Sequence, residues 1–272
     1  MSTMVFMKGN EAIGEAAIRS GVMAYYGYPI TPQNELTAYM AKNMREKGRV
    51  FIQTESEITA INAVFGSSCA GFRAMTSSAS TAMSLKQEGI SHLAYLEIPA
   101  VIVDMMRGGP GLGNILATQN DYNQAVKGGG TGDYHTIVLA PNSVQEAADL
   151  TRLAFELSDK YRNPAMILAD GTIGQMVELV EFPEPIDPAD IPERDYALTG
   201  NRGRAPRKAE PKNSAEDLEN HNLHLQEKYH ACESAERRSE SVYTEDADVV
   251  VVAFGFVSRI AREMVEELRQ DG

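Results

Sequence analysis

Residues 99–106, Pro-Ala-Val-Ile-Val-Asp-Met-Met, restrict this chain more than any other stretch, because they form an almost continuous apolar run rich in β-branched residues. Such side chains favour extended backbone, and a strand apolar on both faces has to be covered on both faces. A parallel sheet between two layers of helices meets that demand, whereas a sheet with one wet face alternates apolar and polar residues. The run ends in Arg107-Gly-Gly-Pro-Gly-Leu-Gly-Asn114, which can be neither helix nor strand and whose glycines let backbone approach a ligand closely. The expected fold class is therefore α/β: an open, mostly parallel sheet with helices on both faces and a central buried strand delivering Arg107 into a loop.

The flanking sequence alternates in the order such a sheet needs. Residues 9–20 read as a helix lined by Ala12, Ile13, Ala16 and Ala17. The turn Gly27-Tyr28-Pro29-Ile30-Thr31-Pro32 is a rigid loop, since each proline removes an N–H and pushes its predecessor towards extended geometry. Pro32 is expected to open a helix over 33–47 with Thr31 as its N-cap. Strands are expected at 50–53, 73–76, 136–140 and 165–169, and helices at 55–68, from the Ser77-Ser78-Ala79-Ser80-Thr81 loop to about His92, and at 143–161. Glu57 falls at a strand-to-helix junction, at the edge where ligands collect in open α/β sheets.

Beyond Pro183 the character changes. Residues 201–245 are charged and poor in aliphatic side chains, too poor for a core of their own. Ser214 with Asp217 resembles a capping box for a helix running to Arg238. Residues 248–254, with four successive valines, read as a strand followed by a helix over 257–269. One strand and one helix bury too little surface to be a domain. The expected organisation is a domain over 1–183, a polar linker with a helix over 184–245, and the start of a truncated second α/β domain over 246–272.

Several function classes are disfavoured. Acidic residues outnumber basic ones 38 to 25, giving a net charge of -13, so nucleic acid is a poor partner. Cys69 and Cys232 show no C-x-x-C spacing, which argues against a zinc site or iron-sulfur cluster held by this chain alone. No apolar run approaches the ~18 residues of a membrane span, and the N-terminus lacks a basic segment before an apolar one, so no membrane is expected and the cytoplasm is the expected location. The Gly109-Pro-Gly-Leu-Gly113 run lacks the third glycine of a dinucleotide fingerprint, Asn114 standing there, and no phosphate loop of the G-x-x-x-x-G-K-[ST] type occurs. Three of the five histidines, His221, His224 and His230, crowd into the linker, where a solvated helix face accounts for them.

Two residues keep two readings open. Glu57 either carries chemistry or is an acidic first-turn residue favoured by the helix dipole. Arg107 either grips a carboxylate bidentately or forms an ordinary salt bridge in an acidic protein.

Gly27-Tyr-Pro-Ile-Thr-Pro32, Glu55-Ser-Glu-Ile-Thr-Ala-Ile61 and Arg107-Gly-Gly-Pro-Gly-Leu-Gly-Asn114 together resemble the alpha subunit of the 2-oxoacid:ferredoxin oxidoreductases in order and spacing. Asn222-Leu-His-Leu-Gln-Glu-Lys-Tyr229 resembles the connecting helix of the branched-chain and 2-oxoglutarate types. The resemblance implies that residues 1–183 are a thiamine diphosphate pyrimidine-binding domain and that 246–272 begin a transketolase C-terminal-like domain. It implies oxidative decarboxylation of a 2-oxoacid to an acyl-CoA, with electrons passed to ferredoxin.

By the same resemblance Glu57 is the catalytic residue that hydrogen-bonds the aminopyrimidine ring, Thr31 and Arg107 contact the 2-oxoacid, and Pro29 lies against the cofactor. The family's magnesium and diphosphate motif, Gly-Asp-Gly followed by an Asn-Asn pair, has no match here, Gly132-Asp133 lacking the asparagines. The implied partners are a beta subunit carrying that motif with the magnesium, and gamma and cysteine-rich ferredoxin-like subunits carrying iron-sulfur clusters. The loop Ser78-Ala79-Ser80-Thr81 departs from the family's Ser-Gly-Pro-Gly, which puts this loop's contacts with the cofactor in doubt. The alternatives are half of a non-oxidative thiamine diphosphate enzyme, decarboxylase or transketolase-like, and a non-catalytic α/β interaction module.

Overall fold

A computed structural model describes residues 3–200 and 212–271. The chain runs β1 (Thr3–Lys8), α1 (Gly9–Arg19), β2 (Ala24–Gly27), α2 (Asn34–Glu46), β3 (Val50–Gln53), α3 (Glu57–Cys69), β4 (Ala74–Ser78), α4 (Thr81–Ser84), α5 (Gln87–Tyr95) and β5 (Ala100–Met106). It continues with α6 (Tyr122–Lys127), β6 (Ile137–Leu139), α7 (Val144–Tyr161), β7 (Pro164–Asp170), α8 (Gly171–Gln175), β8 (Val177–Phe182), a 3-10 turn at Pro188–Asp190, α9 (Ala215–Glu236) and α10 (Gly255–Asp271). Six strands form an all-parallel sheet in the order β3-β2-β4-β5-β7-β6.

Strand β5 is the covered strand the apolar run demands, with all seven residues buried. Its side chains alternate between two cores. Val101, Val103 and Met105 pack with Ile13 of α1 and Leu36 of α2, while Ala100, Ile102 and Met106 pack with Ile61 of α3 and Ile90 of α5. Asp104 shares the register of the second set and is as buried as its neighbours.

Three expectations need correction. Helix α2 starts at Asn34, not at Pro32, and Thr31 does not cap it. The carbonyls of Thr31 and Pro32 are held by side chains instead, Arg107 Nη1 donating to the first at 3.0 Å and Asn10 Nδ2 to the second at 2.8 Å. Strands β1 and β8 pair antiparallel in a second small sheet that the sequence does not display, because each strand's partner lies at the far end of the domain, Thr3 opposite Phe182.

The third concerns residues 248–254, which form no strand. Apolar residues on both faces of a strand need neighbours, and no described strand lies beside this segment, so Val249 and Val252 are 81% and 92% exposed. Only its end is fixed: Gln119 Nε2 donates to the Phe254 carbonyl at 2.7 Å and the Phe256 N–H to Asp170 Oδ2 at 2.8 Å. Amides 249–252 should therefore exchange with solvent much faster than amides 100–104 in a hydrogen-exchange measurement; equal protection would show that a partner covers the valines.

The linker helix does form. Ser214 accepts from the Asp217 N–H at 3.0 Å, which is the N-cap half of a capping box, and α9 lies against the end of the sheet where β5 and β7 begin. Lys228 Nζ reaches Glu97 at 3.2 Å and the Arg162 carbonyl at 3.3 Å, and His221 Nε2 reaches the Tyr95 carbonyl at 2.7 Å. No helix among the described residues is long and apolar enough to cross a membrane.

Candidate active site

From β2 the chain passes outward to β3 and then back across β2 to β4, so strand order reverses between β2 and β4. At such a reversal the loops leaving the two strands part, and a crevice opens beyond their carboxyl ends. The loops that surround it here follow Gly27, Gln53, Ser78 and Met106.

Glu57 stands at the β3 side. Thr54 ties the end of β3 to β2, its N–H donating to the Gly27 carbonyl at 2.9 Å and its hydroxyl to the Ser56 carbonyl at 2.9 Å. Ser56 then accepts from the Thr59 N–H at 3.3 Å, which makes Glu57 the first residue of α3. Its side chain is buried, 6% exposed as a residue, yet the carboxylate has no hydrogen-bond partner among the described residues. A buried carboxylate held at a helix N-terminus without a hydrogen-bond partner is poised to accept a proton donor from a ligand.

Arg107 ends β5 and turns towards the loop after β2. Nη1 donates to the Thr31 carbonyl at 3.0 Å, and Nη2 to the Leu112 carbonyl at 3.2 Å and to Thr81 Oγ1 at 3.4 Å. Its Nε is buried with no partner. Three neutral acceptors and one orphaned donor leave the guanidinium without a counter-charge, which a ligand carboxylate would supply. Thr31 is thus brought directly against Arg107, with its own hydroxyl accepting from Asn34 Nδ2 at 3.2 Å. Pro29 is exposed in the same loop.

A hydrogen-bonded floor holds that loop. Gln33 Nε2 donates to the Tyr28 carbonyl at 3.2 Å, while Gln33 Oε1 accepts from Thr37 at 2.8 Å and Ser77 at 2.5 Å. Tyr25 Oη joins Ser77 and Thr37, and its burial pushes the phenol up to about 12.

Sequence reasoning missed a second layer of buried charge beneath the site. Lys86 is fully buried and donates to Thr76 Oγ1 at 2.7 Å; burial pushes its ammonium down to about 7, with Glu57 and Asp104 pulling the other way. Asp104 is held well above the usual carboxylate range by burial and by Asp121, and burial raises Asp121 as well. Between the two acids sits Ser80. Asp104, a single charge inside an apolar strand, was the available signal. Among the described residues no three His, Cys, Asp or Glu side chains are grouped to hold a metal ion.

Comparison with known proteins gives a consistent result. The family model described as pyruvate flavodoxin/ferredoxin oxidoreductase, thiamine diphosphate-binding, matches residues 15–244. The chain is 51% identical to the ketoisovalerate oxidoreductase subunit VorB of Methanothermobacter marburgensis, over 98% of this chain and 76% of that protein. It is 33% identical to the 2-oxoglutarate synthase subunit KorA of Methanothermobacter thermautotrophicus, over 100% of this chain and 79% of that one. Among solved structures, 2-oxoglutarate:ferredoxin oxidoreductase of Magnetococcus marinus superposes with a TM-score of 0.87 at 26% identity, covering 99% of this chain and 52% of that chain.

Proposed function

The chain belongs to the thiamine diphosphate-binding pyruvate flavodoxin/ferredoxin oxidoreductase family, and from that premise we propose that it is the pyrimidine-binding subunit of a 2-oxoacid:ferredoxin oxidoreductase. The observation that carries the reading is the presence, around one strand-order reversal, of a buried carboxylate without a hydrogen-bond partner, Glu57, and a buried guanidinium lacking a counter-charge, Arg107. Relatives named as ketoisovalerate and 2-oxoglutarate oxidoreductase subunits disfavour the non-oxidative and non-catalytic alternatives.

Thiamine diphosphate, when bound, supplies the carbon nucleophile that attacks the 2-oxoacid carbonyl and the electron sink for loss of carbon dioxide. Glu57 fits the aminopyrimidine, because its buried carboxylate can accept a ring N–H and hold that proton while the exocyclic nitrogen works as a base. Arg107 pairs with the substrate carboxylate, and the Thr31 carbonyl holds the guanidinium in place. Exposed Leu112, Ile115 and Leu116 in the loop after Arg107 offer an aliphatic side chain apolar contact, which favours a branched 2-oxoacid over a dicarboxylic one. Magnesium and the diphosphate are held by a beta subunit, and the iron-sulfur clusters by gamma and ferredoxin-like subunits, in a cytoplasmic assembly that uses coenzyme A and ferredoxin.

Co-expression with the partner subunits tests the reading: ferredoxin reduction should require both a 2-oxoacid and coenzyme A, with kcat/KM higher for 2-oxoisovalerate than for 2-oxoglutarate. No 2-oxoacid-dependent reduction by the complete assembly would overturn it. Arg107→Lys keeps the charge but loses the planar fork, so kcat/KM for the 2-oxoacid should fall about 10- to 100-fold while the KM for coenzyme A stays put. Equal movement of both would mark Arg107 as scaffold.

A further inference from the structure

The turn between β4 and α4 contains the most unusual backbone at the site. Ser80 has φ 30° and ψ -95°, a conformation that is strained for a non-glycine residue. Such strain persists only where the surroundings over-determine the residue. Here they do. The Ser80 N–H donates to Asp104 Oδ1 at 3.1 Å, its hydroxyl oxygen accepts from the Arg107 N–H at 2.9 Å, and the same hydroxyl lies 3.0 Å from the Arg107 carbonyl and against Asp121 Oδ2.

We infer that Ser80 is a positioning residue which grips the Arg107 peptide from both sides, with Asp104 fixing its backbone and Asp121 completing its hydrogen bonding, so that the guanidinium is aimed at the 2-oxoacid carboxylate. The inference rests on the proposed function for the identity of the ligand, but the grip itself is a property of the fold. A serine hydroxyl carries one hydrogen and here meets two acceptors, the Arg107 carbonyl and Asp121. Both are satisfied when the Asp121 carboxyl brings a proton of its own and donates to Ser80, leaving the Ser80 hydrogen for the carbonyl. Burial pushes Asp121 towards that state, while its hydrogen bonds with Ser80 and with Asn120 Nδ2, which donates to Oδ1 at 3.1 Å, pull the other way. Asp121 closes the hydrogen bonding of Ser80 as donor or as acceptor, and an amide, which carries both kinds of atom, can replace it.

The test uses the assembled enzyme carrying Ser80→Gly, Ser80→Ala, Asp121→Ala or Asp121→Asn, read by KM for the 2-oxoacid, KM for coenzyme A, and hydrogen exchange of the Arg107 amide in the absence of substrate. Ser80→Gly, Ser80→Ala and Asp121→Ala should each raise the 2-oxoacid KM about tenfold, speed exchange at Arg107, and leave the coenzyme A KM within about twofold. Asp121→Asn should recover most of the loss caused by Asp121→Ala. Glycine relieves the strained backbone, so a merely structural Ser80 would make Ser80→Gly harmless in both readouts, and that result would overturn the inference. Parallel shifts in the two KM values, or Asp121→Asn as damaging as Asp121→Ala, would overturn it too. Absence of 2-oxoacid turnover by the unmutated enzyme would refute the proposed function instead, and exchange at Arg107 would still decide whether the grip exists.

Discussion

Glu57→Gln in the assembled enzyme is expected to lower kcat by about 10²- to 10⁴-fold, the range of a positioned acid-base group, with the fold and subunit association intact. The size of the effect follows from where the residue sits. Glutamine has nearly the same shape, so α3 keeps its Ser56 cap and its packing through Ile61 and Val64. The change removes only the charge that stabilises a proton on the pyrimidine ring. The carboxylate has no hydrogen-bond partner among the described residues to soften its loss. Exchange of the thiamine C2 proton, followed by NMR with the cofactor bound, should slow in parallel with turnover. A Gln variant that retains a third or more of normal kcat would reduce Glu57 to a helix-terminal charge.

That Glu57 could be singled out from sequence has a local cause. Strand β3 ends and α3 begins within four residues, and short-range patterns are the ones a sequence displays directly. Strand β5 was legible for the same reason, being one uninterrupted apolar run. The misread parts depend on distant partners. Pro32 has the chemistry of a helix start, but Asn10 and Arg107 capture the carbonyls beside it from 22 and 76 residues away. Residues 248–254 have the intrinsic preference of a strand and find no strand to pair with among the described residues, so propensity lost to context. The grouping of Ser80, Lys86, Asp104 and Asp121 was hidden most deeply. Ser80, Lys86 and Asp121 do not stand out from their own sequence neighbours as Asp104 does, and only the parallel register of β4 and β5, with Ser78 opposite Asp104, brings them beneath one loop.

Lys86 gives the second large effect, and it is one of stability. An ordinary lysine titrates near 10.4 in an unfolded chain, whereas burial holds this one at about 7 in the fold. Between those two values the unfolded state binds a proton that the folded state lacks, so this group makes stability rise as pH rises from about 7 towards 10. Below about pH 6 the folded chain carries nearly the full penalty of a buried ammonium, offset in part by Glu57 and Asp104. Lys86→Met keeps an unbranched side chain of similar length and removes the charge. The variant should therefore be more stable than the parent at pH 6 by about 1–4 kcal/mol, the range seen when buried charges are replaced by apolar groups, and the difference should shrink towards zero by pH 10. Urea unfolding of the purified chain at the two pH values measures both quantities. A gain of equal size at pH 6 and pH 10 would mean that packing alone is responsible, and a loss at pH 6 would mean that the attraction to Glu57 and Asp104 outweighs the burial of the ammonium. In the expected case the parent chain sacrifices stability to keep positive charge behind Glu57, so the Met variant should gain stability and lose turnover together.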